Sequence, residues 1–203
     1  MRIGILNYGI GNVGSIKRLC SRFEDTEVIG PNDSWNAYNL IIFPGVGSFD
    51  HAIRVVNESN LGTEMPAHIS RGGFILGICV GMQILFDSSE EGKFSGLGLV
   101  GGGLKKLISQ PGYPVPHMGW SCVSTTDFPF PVKGDFYFTH SYALLKRDFN
   151  NENCYILTSE YGEAIVAGFN YQNIFGVQFH PEKSGTNGRE FLRNIISYSA
   201  GSE

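Results

Sequence analysis

One cysteine in this sequence sits where a thiol can do chemistry. Cys79 lies in GICVGMQ, residues 77–83, between an unbroken apolar run and the start of a helical pattern. A residue at such a strand-to-helix junction is held on a sharp turn, with its side chain pushed out above the sheet edge. Gly77 and Gly81 leave room for strand and helix to cross closely. Amides at the start of the helix can receive a developing oxyanion. A thiol nucleophile also needs a base, and the base needs an acid to orient it. VQFHPEKS, residues 177–184, supplies both: His180 and Glu182 follow an apolar strand, and Pro181 fixes the turn between them. The expected chemistry is attack on an acyl group by Cys79, with His180 as general base and acid and Glu182 orienting it.

These residues need a scaffold that brings two distant strand ends together. Residues 2–7 read as a buried strand ended by Gly9 and Gly11, and a helix capped by Asn12 or Ser15 follows to about residue 23. Residues 27–30, 39–43 and 74–78 read as further strands, the last two wholly apolar, as in a parallel sheet covered on both faces. Helical stretches are expected from residue 50 to 57, ahead of residue 71, and from residue 80 to 86. This alternation predicts an α/β fold: a doubly wound, mainly parallel sheet with helices on both faces. After residue 92 short β-rich stretches follow at 98–108, 121–125, 135–138, 154–159, 164–170 and 174–179. They are expected to be antiparallel additions to the sheet, closed by a helix over 187–199. No repeat or linker interrupts residues 1–203, so one domain is expected.

With 42% hydrophobic and 17% charged residues, the chain can bury a core. A net charge of -4 gives no electrostatic footprint for nucleic acid. No apolar run approaches the ~20 residues needed to span a bilayer, and the N-terminus lacks a signal-peptide pattern. A cytoplasmic protein without cofactor or metal is expected. Cys20, Cys122 and Cys154 show no C-x-x-C pairing and are read as small buried apolar residues. His51 and His68 are read as surface residues, and His117 as structural or interfacial. His140 competes with His180 as a base, but the adjacent Pro-Glu favours His180.

GICVGMQ and FHPEKS together resemble the class I (triad) glutamine amidotransferases, which share a flavodoxin-like fold. PGVGSF (44–49), HMGW (117–120) and FTHSY (138–142) narrow the resemblance to the glutaminase subunits of imidazole glycerol phosphate synthase, over nearly the whole chain. The resemblance implies glutamine hydrolysis by Cys79, His180 and Glu182. It assigns an oxyanion hole to Gly45, Val46 and Gly47, with the Val80 amide as the natural second donor. Glycines here would let the strand flip a peptide, so the hole could be assembled on command. Gln83, one helical turn beyond Cys79, would contact the glutamine, and Thr139, His140, Ser141 and Tyr142 would form the wall that binds its amino and carboxylate groups.

The resemblance also implies a (β/α)₈-barrel partner that makes imidazole glycerol phosphate and AICAR in histidine biosynthesis, with ammonia passing through the barrel core. Met118, Gly119, Trp120 and Ser121, with Tyr142, are the expected contact surface, since Trp and Tyr are enriched at interface hot spots. The family usually reads Met-Gly-Trp-Asn, so Ser121 is a departure, as is the run Gly101, Gly102, Gly103. Ser121 keeps open a paralogous glutaminase feeding a barrel partner in amidino-sugar synthesis for a surface polysaccharide. A non-catalytic module, or a hydrolase of γ-glutamyl compounds, would be other outcomes.

Overall fold

The computed structural model describes residues 1–125 and 127–201. In chain order the elements are β1 (Arg2–Leu6), α1 (Val13–Cys20), β2 (Asp25–Ile29), β3 (Leu40–Phe43), α2 (Phe49–Asn57), α3 (Leu61–Ser70), β4 (Phe74–Ile78) and α4 (Val80–Gln83). There follow β5 (Ser88–Ser89), β6 (Gly103–Lys106), β7 (His117–Val123), β8 (Gly134–His140), β9 (Tyr142–Ala143), β10 (Tyr155–Glu160), β11 (Ala164–Tyr171), β12 (Ile174–Val177) and α5 (Gly185–Ser199).

Seven strands form the central sheet in the order β10-β11-β12-β4-β3-β1-β2. The β12–β4–β3–β1–β2 portion is parallel, and β10 and β11 extend it antiparallel. All of β3 and β12 and nearly all of β4 are buried, which is why these strands read as unbroken apolar runs. α1 begins where expected: Asn12 accepts from the Ser15 amide at 3.3 Å.

Four expectations need correction. First, only β10 and β11 are antiparallel additions to the central sheet. β7 and β8 pair as a separate ribbon, and β5, β6 and β9 form a small sheet. The reason is packing: Phe136 and Phe138 of β8 project one face onto Phe179, with ring centroids 4.2 and 5.9 Å away, so the ribbon lies against the molecule instead of joining an edge. Second, α4 stops at Gln83 rather than residue 86. Residues 85 and 86 turn with tighter bonds to Met82 and Gln83, while the Ile84 and Phe86 carbonyls accept from Leu97 and Gly98. Distant chain has taken the helix's acceptors. Third, His68 is buried, not a surface residue. It shares the inner face of α3 with Leu61 and Met65, donates Nε2–H to the Phe74 carbonyl at 3.1 Å, and meets Trp35 edge-on. Burial lowers its pKa. Fourth, among the cysteines, Cys20 is buried as expected, but Cys122 is exposed on the open face of β7, and Cys154 is half-exposed in the loop just before β10.

The corner between β4 and α4 leaves no room for a side chain at three glycines. A Cβ placed on Gly81 would overlap the Phe43 carbonyl oxygen, one on Gly45 the Gly81 amide, and one on Gly77 the Gly81 carbonyl. All three neighbours are backbone, so no rotamer change relieves them. Gly81→Ala is therefore expected to lower stability by about 1–3 kcal/mol, the usual cost of overpacking. Urea unfolding with an unchanged slope and a lower midpoint would show it, and a wild-type midpoint would contradict it.

Candidate active site

Cys79 occupies the corner itself, with φ 52° and ψ -112°. A positive φ outside glycine costs of order 1–3 kcal/mol and persists only where surrounding structure enforces it. Here the Cys79 amide donates to the Val177 carbonyl at 2.7 Å, and the amides of Met82 and Gln83 donate to the Cys79 carbonyl. The strain turns the side chain toward a cavity of about 490 Å³.

Val46, Gly47, Val80, Gln83 and residues 139–142 line that cavity beside Cys79. The structure thus gathers the oxyanion and substrate residues expected from sequence, except Gly45. Gly45 is buried against α4, where its missing side chain permits the crossing. Gly47 holds φ +136°, a left-handed value that suits glycine. Three lining residues escaped sequence reading: Glu91, Pro116 and Lys183. Glu91 also accepts from the Phe49 amide at 3.1 Å, and burial raises its pKa.

His180 and Glu182 stand behind the cavity wall. His180 Nδ1 is 2.9 Å from Glu182 Oε1, and both side chains are 1% exposed. The turn that carries them is pinned by Ser184, whose hydroxyl donates to the His180 carbonyl at 2.6 Å and accepts from the Tyr137 amide at 2.9 Å. Burial lowers the His180 pKa, but the neighbouring Cys79 and Glu182 outweigh it and raise the value to about 9. The ring therefore holds its proton at neutral pH. Among the described residues its Nε2 has no partner within hydrogen-bonding geometry, which leaves it to meet a reacting atom.

Two further residues escaped sequence reading: Gln178, which meets the thiol, and Tyr8, which holds the turn facing it. Gln178 donates from Nε2 to Cys79 Sγ at 3.6 Å, and Gln83 donates to Gln178 Oε1 at 2.9 Å. Gln178 is a polar residue in an apolar strand end, two places before His180. That period-2 spacing was the available signal. Tyr8, buried, donates its hydroxyl to the Pro44 carbonyl at 2.6 Å and so fixes the entry to the 45–47 turn. Burial, with Cys79 nearby, pushes its pKa up and keeps it a donor.

Outside the cavity, Met118 and Trp120 are 63% and 57% exposed on one face of β7. Their paired residues on β8 are Thr139 and Tyr137, so this face adjoins the cavity wall. Ser121 is half-buried, and its hydroxyl lies 2.8 Å from His117 Nε2. Among the described residues, no group of three His, Cys, Asp or Glu side chains could hold a metal ion, and no helix is long and apolar enough to cross a membrane.

A cysteine on a strained strand-to-helix turn, a buried His–Glu pair and open amides at a cavity suit a thiol-dependent amide hydrolase. Residues 9–197 match the family profile "Glutamine amidotransferase class-I". The chain is 37% identical to imidazole glycerol phosphate synthase subunit HisH of Geobacillus kaustophilus over 98% of each chain. It is 38% identical to the subunit of that name from Prochlorococcus marinus, over 96% of this chain and 97% of the other. A solved structure of PurLQS from Thermotoga maritima superposes with a TM-score of 0.74 at 21% identity, covering 97% of this chain and 98% of that one, a likeness of fold. The chain belongs to the class-I glutamine amidotransferases and, within them, to the family of imidazole glycerol phosphate synthase subunit HisH.

Proposed function

We propose that this chain hydrolyses glutamine to glutamate and ammonia and passes the ammonia to a synthase partner in histidine biosynthesis. The observation that carries the reading is Cys79 at φ 52°, turned into a cavity, with the buried His180–Glu182 pair behind it. Cys79 Sγ attacks the side-chain amide carbon of glutamine. The Val80 amide, and the Val46 amide once aimed inward, take the oxyanion. His180, already protonated, gives its Nε2 proton to the departing nitrogen, and ammonia leaves a thioester. Water then attacks, His180 takes its proton, and glutamate is released with the thiolate restored. Glu182 holds the ring through Nδ1. Gln83 and residues 139–142 hold the substrate, and Glu91 is the cavity carboxylate suited to its α-ammonium group.

The HisH name borne by the relatives favours the histidine synthase over an amidino-sugar partner. Ammonia at neutral pH is mostly protonated and unreactive, so a closed route to a (β/α)₈ barrel serves the reaction. Such a barrel carries its own chemistry at the far end of its strands. The exposed Met118 and Trp120 beside the cavity wall, with Gly119 and Ser121, are the proposed docking face. A cytoplasmic setting, which keeps Cys79 reduced, fits this role.

The test is to mix the chain with glutamine, alone and with the synthase subunit encoded in the same genome. Glutamate and ammonia are expected in equal amounts, slowly from the chain alone and much faster in the complex. No glutamate under either condition would leave a binding module. Full activity without a partner would remove the need for docking to complete the oxyanion hole.

A further inference from the structure

Seven groups form an unbroken hydrogen-bond chain from the inward face of β7, opposite Met118 and Trp120, to Cys79. Ser121 Oγ lies 2.8 Å from His117 Nε2, His117 Nδ1 lies 3.0 Å from His140 Nε2, and His140 Nδ1 lies 2.9 Å from the Tyr142 carbonyl. That carbonyl also accepts from Gln83 Nε2 at 3.2 Å. Gln83 donates to Gln178, and Gln178 to Cys79 Sγ.

Chemistry fixes the direction of every link. A carbonyl only accepts, so His140 carries its proton on Nδ1. Its neutral Nε2 then only accepts, so His117 must donate from Nδ1. The His117 Nε2 is in turn an acceptor, and Ser121 O–H must donate to it. Reversing any link sets two lone pairs or two protons face to face.

Both rings are also built to stay neutral. Burial lowers His117 to about 4, and burial and the neighbouring His117 lower His140 to about 3. His117 is clamped flat between Phe138 and Tyr161, at centroid distances of 4.6 and 3.7 Å.

We propose that Ser121, His117 and His140 are positioning residues for glutamine hydrolysis, a one-way relay that holds the Tyr142 carbonyl, and through it Gln83 and Gln178, against Cys79. The relay starts at Ser121, on the face of β7 opposite Met118 and Trp120, so a partner seated on that strand bears on the order of the glutamine pocket through the strand backbone. This deepens the glutaminase reading and rests on it. A buried histidine pair serving stability alone would share the contacts but not the kinetic coupling.

The experiment compares Ser121→Ala, Ser121→Thr, His117→Phe and the Ser121→Ala/His117→Phe double variant in complex with the synthase partner. Ser121→Ala is expected to lower kcat/KM for glutamine about tenfold, as loss of one buried hydrogen bond does. Ser121→Thr, which keeps the hydroxyl, is expected to restore it. The double variant should be no worse than His117→Phe alone, since both cut one chain. Long-range ¹H–¹⁵N spectra of the imidazoles should show both rings protonated on Nδ1, in the wild type and in Ser121→Ala alike, because His140 fixes the His117 tautomer. Wild-type kinetics in Ser121→Ala, fully additive losses in the double variant, or His117 protonated on Nε2 in the wild type would each overturn the relay. If the wild-type complex releases no glutamate, the glutaminase reading fails, and the tautomer spectra decide the relay on their own.

Discussion

Replacing Cys79 with alanine is expected to reduce glutamate release from glutamine by at least about 10⁴-fold, the scale seen when a covalent nucleophile is removed. Among the described residues no other side chain shares the strained corner that aims Cys79 into the cavity. Gln178 and Gln83, its polar neighbours, are amides, and His180 lies behind the cavity wall. Synthesis by the complex with added ammonium salt should continue at the wild-type rate, because the variant retains the backbone and the docking face. The pair of assays separates the two half-reactions. Glutamine turnover at the normal rate in Cys79→Ala would reject the mechanism, and loss of the ammonia-dependent rate would place Cys79 in docking instead.

Glu182→Gln is the second large effect. It keeps the size of the side chain but replaces the carboxylate that accepts from His180 Nδ1 at 2.9 Å. In a hydrolase triad the wrong tautomer costs on the order of 10⁴-fold in kcat, and a loss of about 10³–10⁴ is expected here. The substitution should also lower the His180 pKa, since Glu182 is one of the two groups holding it near 9 against burial. The sign for stability follows. A histidine raised in the folded state contributes stability that is complete below its unfolded pKa of about 6.5 and is lost as pH rises through about 9. Wild-type stability should therefore decline across that window, and Glu182→Gln should flatten the decline. An NMR titration of the ring with equilibrium unfolding at several pH values reads both. An unchanged titration, or a kcat near wild type, would assign Glu182 a packing role only.

The parallel core of the fold was legible because its strands are buried on both faces and so carry continuous apolar runs. Residues 74–78 were bounded correctly from sequence. The nucleophile corner was legible too, since small residues on both sides of Cys79 are needed for a crossing that admits no Cβ. What stayed hidden was decided by contacts across long sequence distances. The carbonyls of Ile84 and Phe86 are captured by residues 97 and 98, which cuts α4 short. β8 lies flat on Phe179 rather than at a sheet edge. The same holds for the site. Cys79, His180 and Glu182 announce themselves by local motif, whereas Glu91, Gln178 and Tyr8 matter through partners dozens of residues away. His117 drew notice only as a structural or interfacial residue, and its bond to Ser121 is visible only once β7 and β8 are paired.

β4 and β12 lie side by side, with Gly77 opposite Gly176 and Ile78 opposite Val177, although about a hundred residues separate them along the chain. A polypeptide emerging from the ribosome carries its thiol long before its imidazole, and the two meet only when the last parallel strand docks. Such long-range pairing is slow to form. On the proposed mechanism a half-made chain therefore lacks a complete triad, and hydrolysis begins only once the sheet has closed.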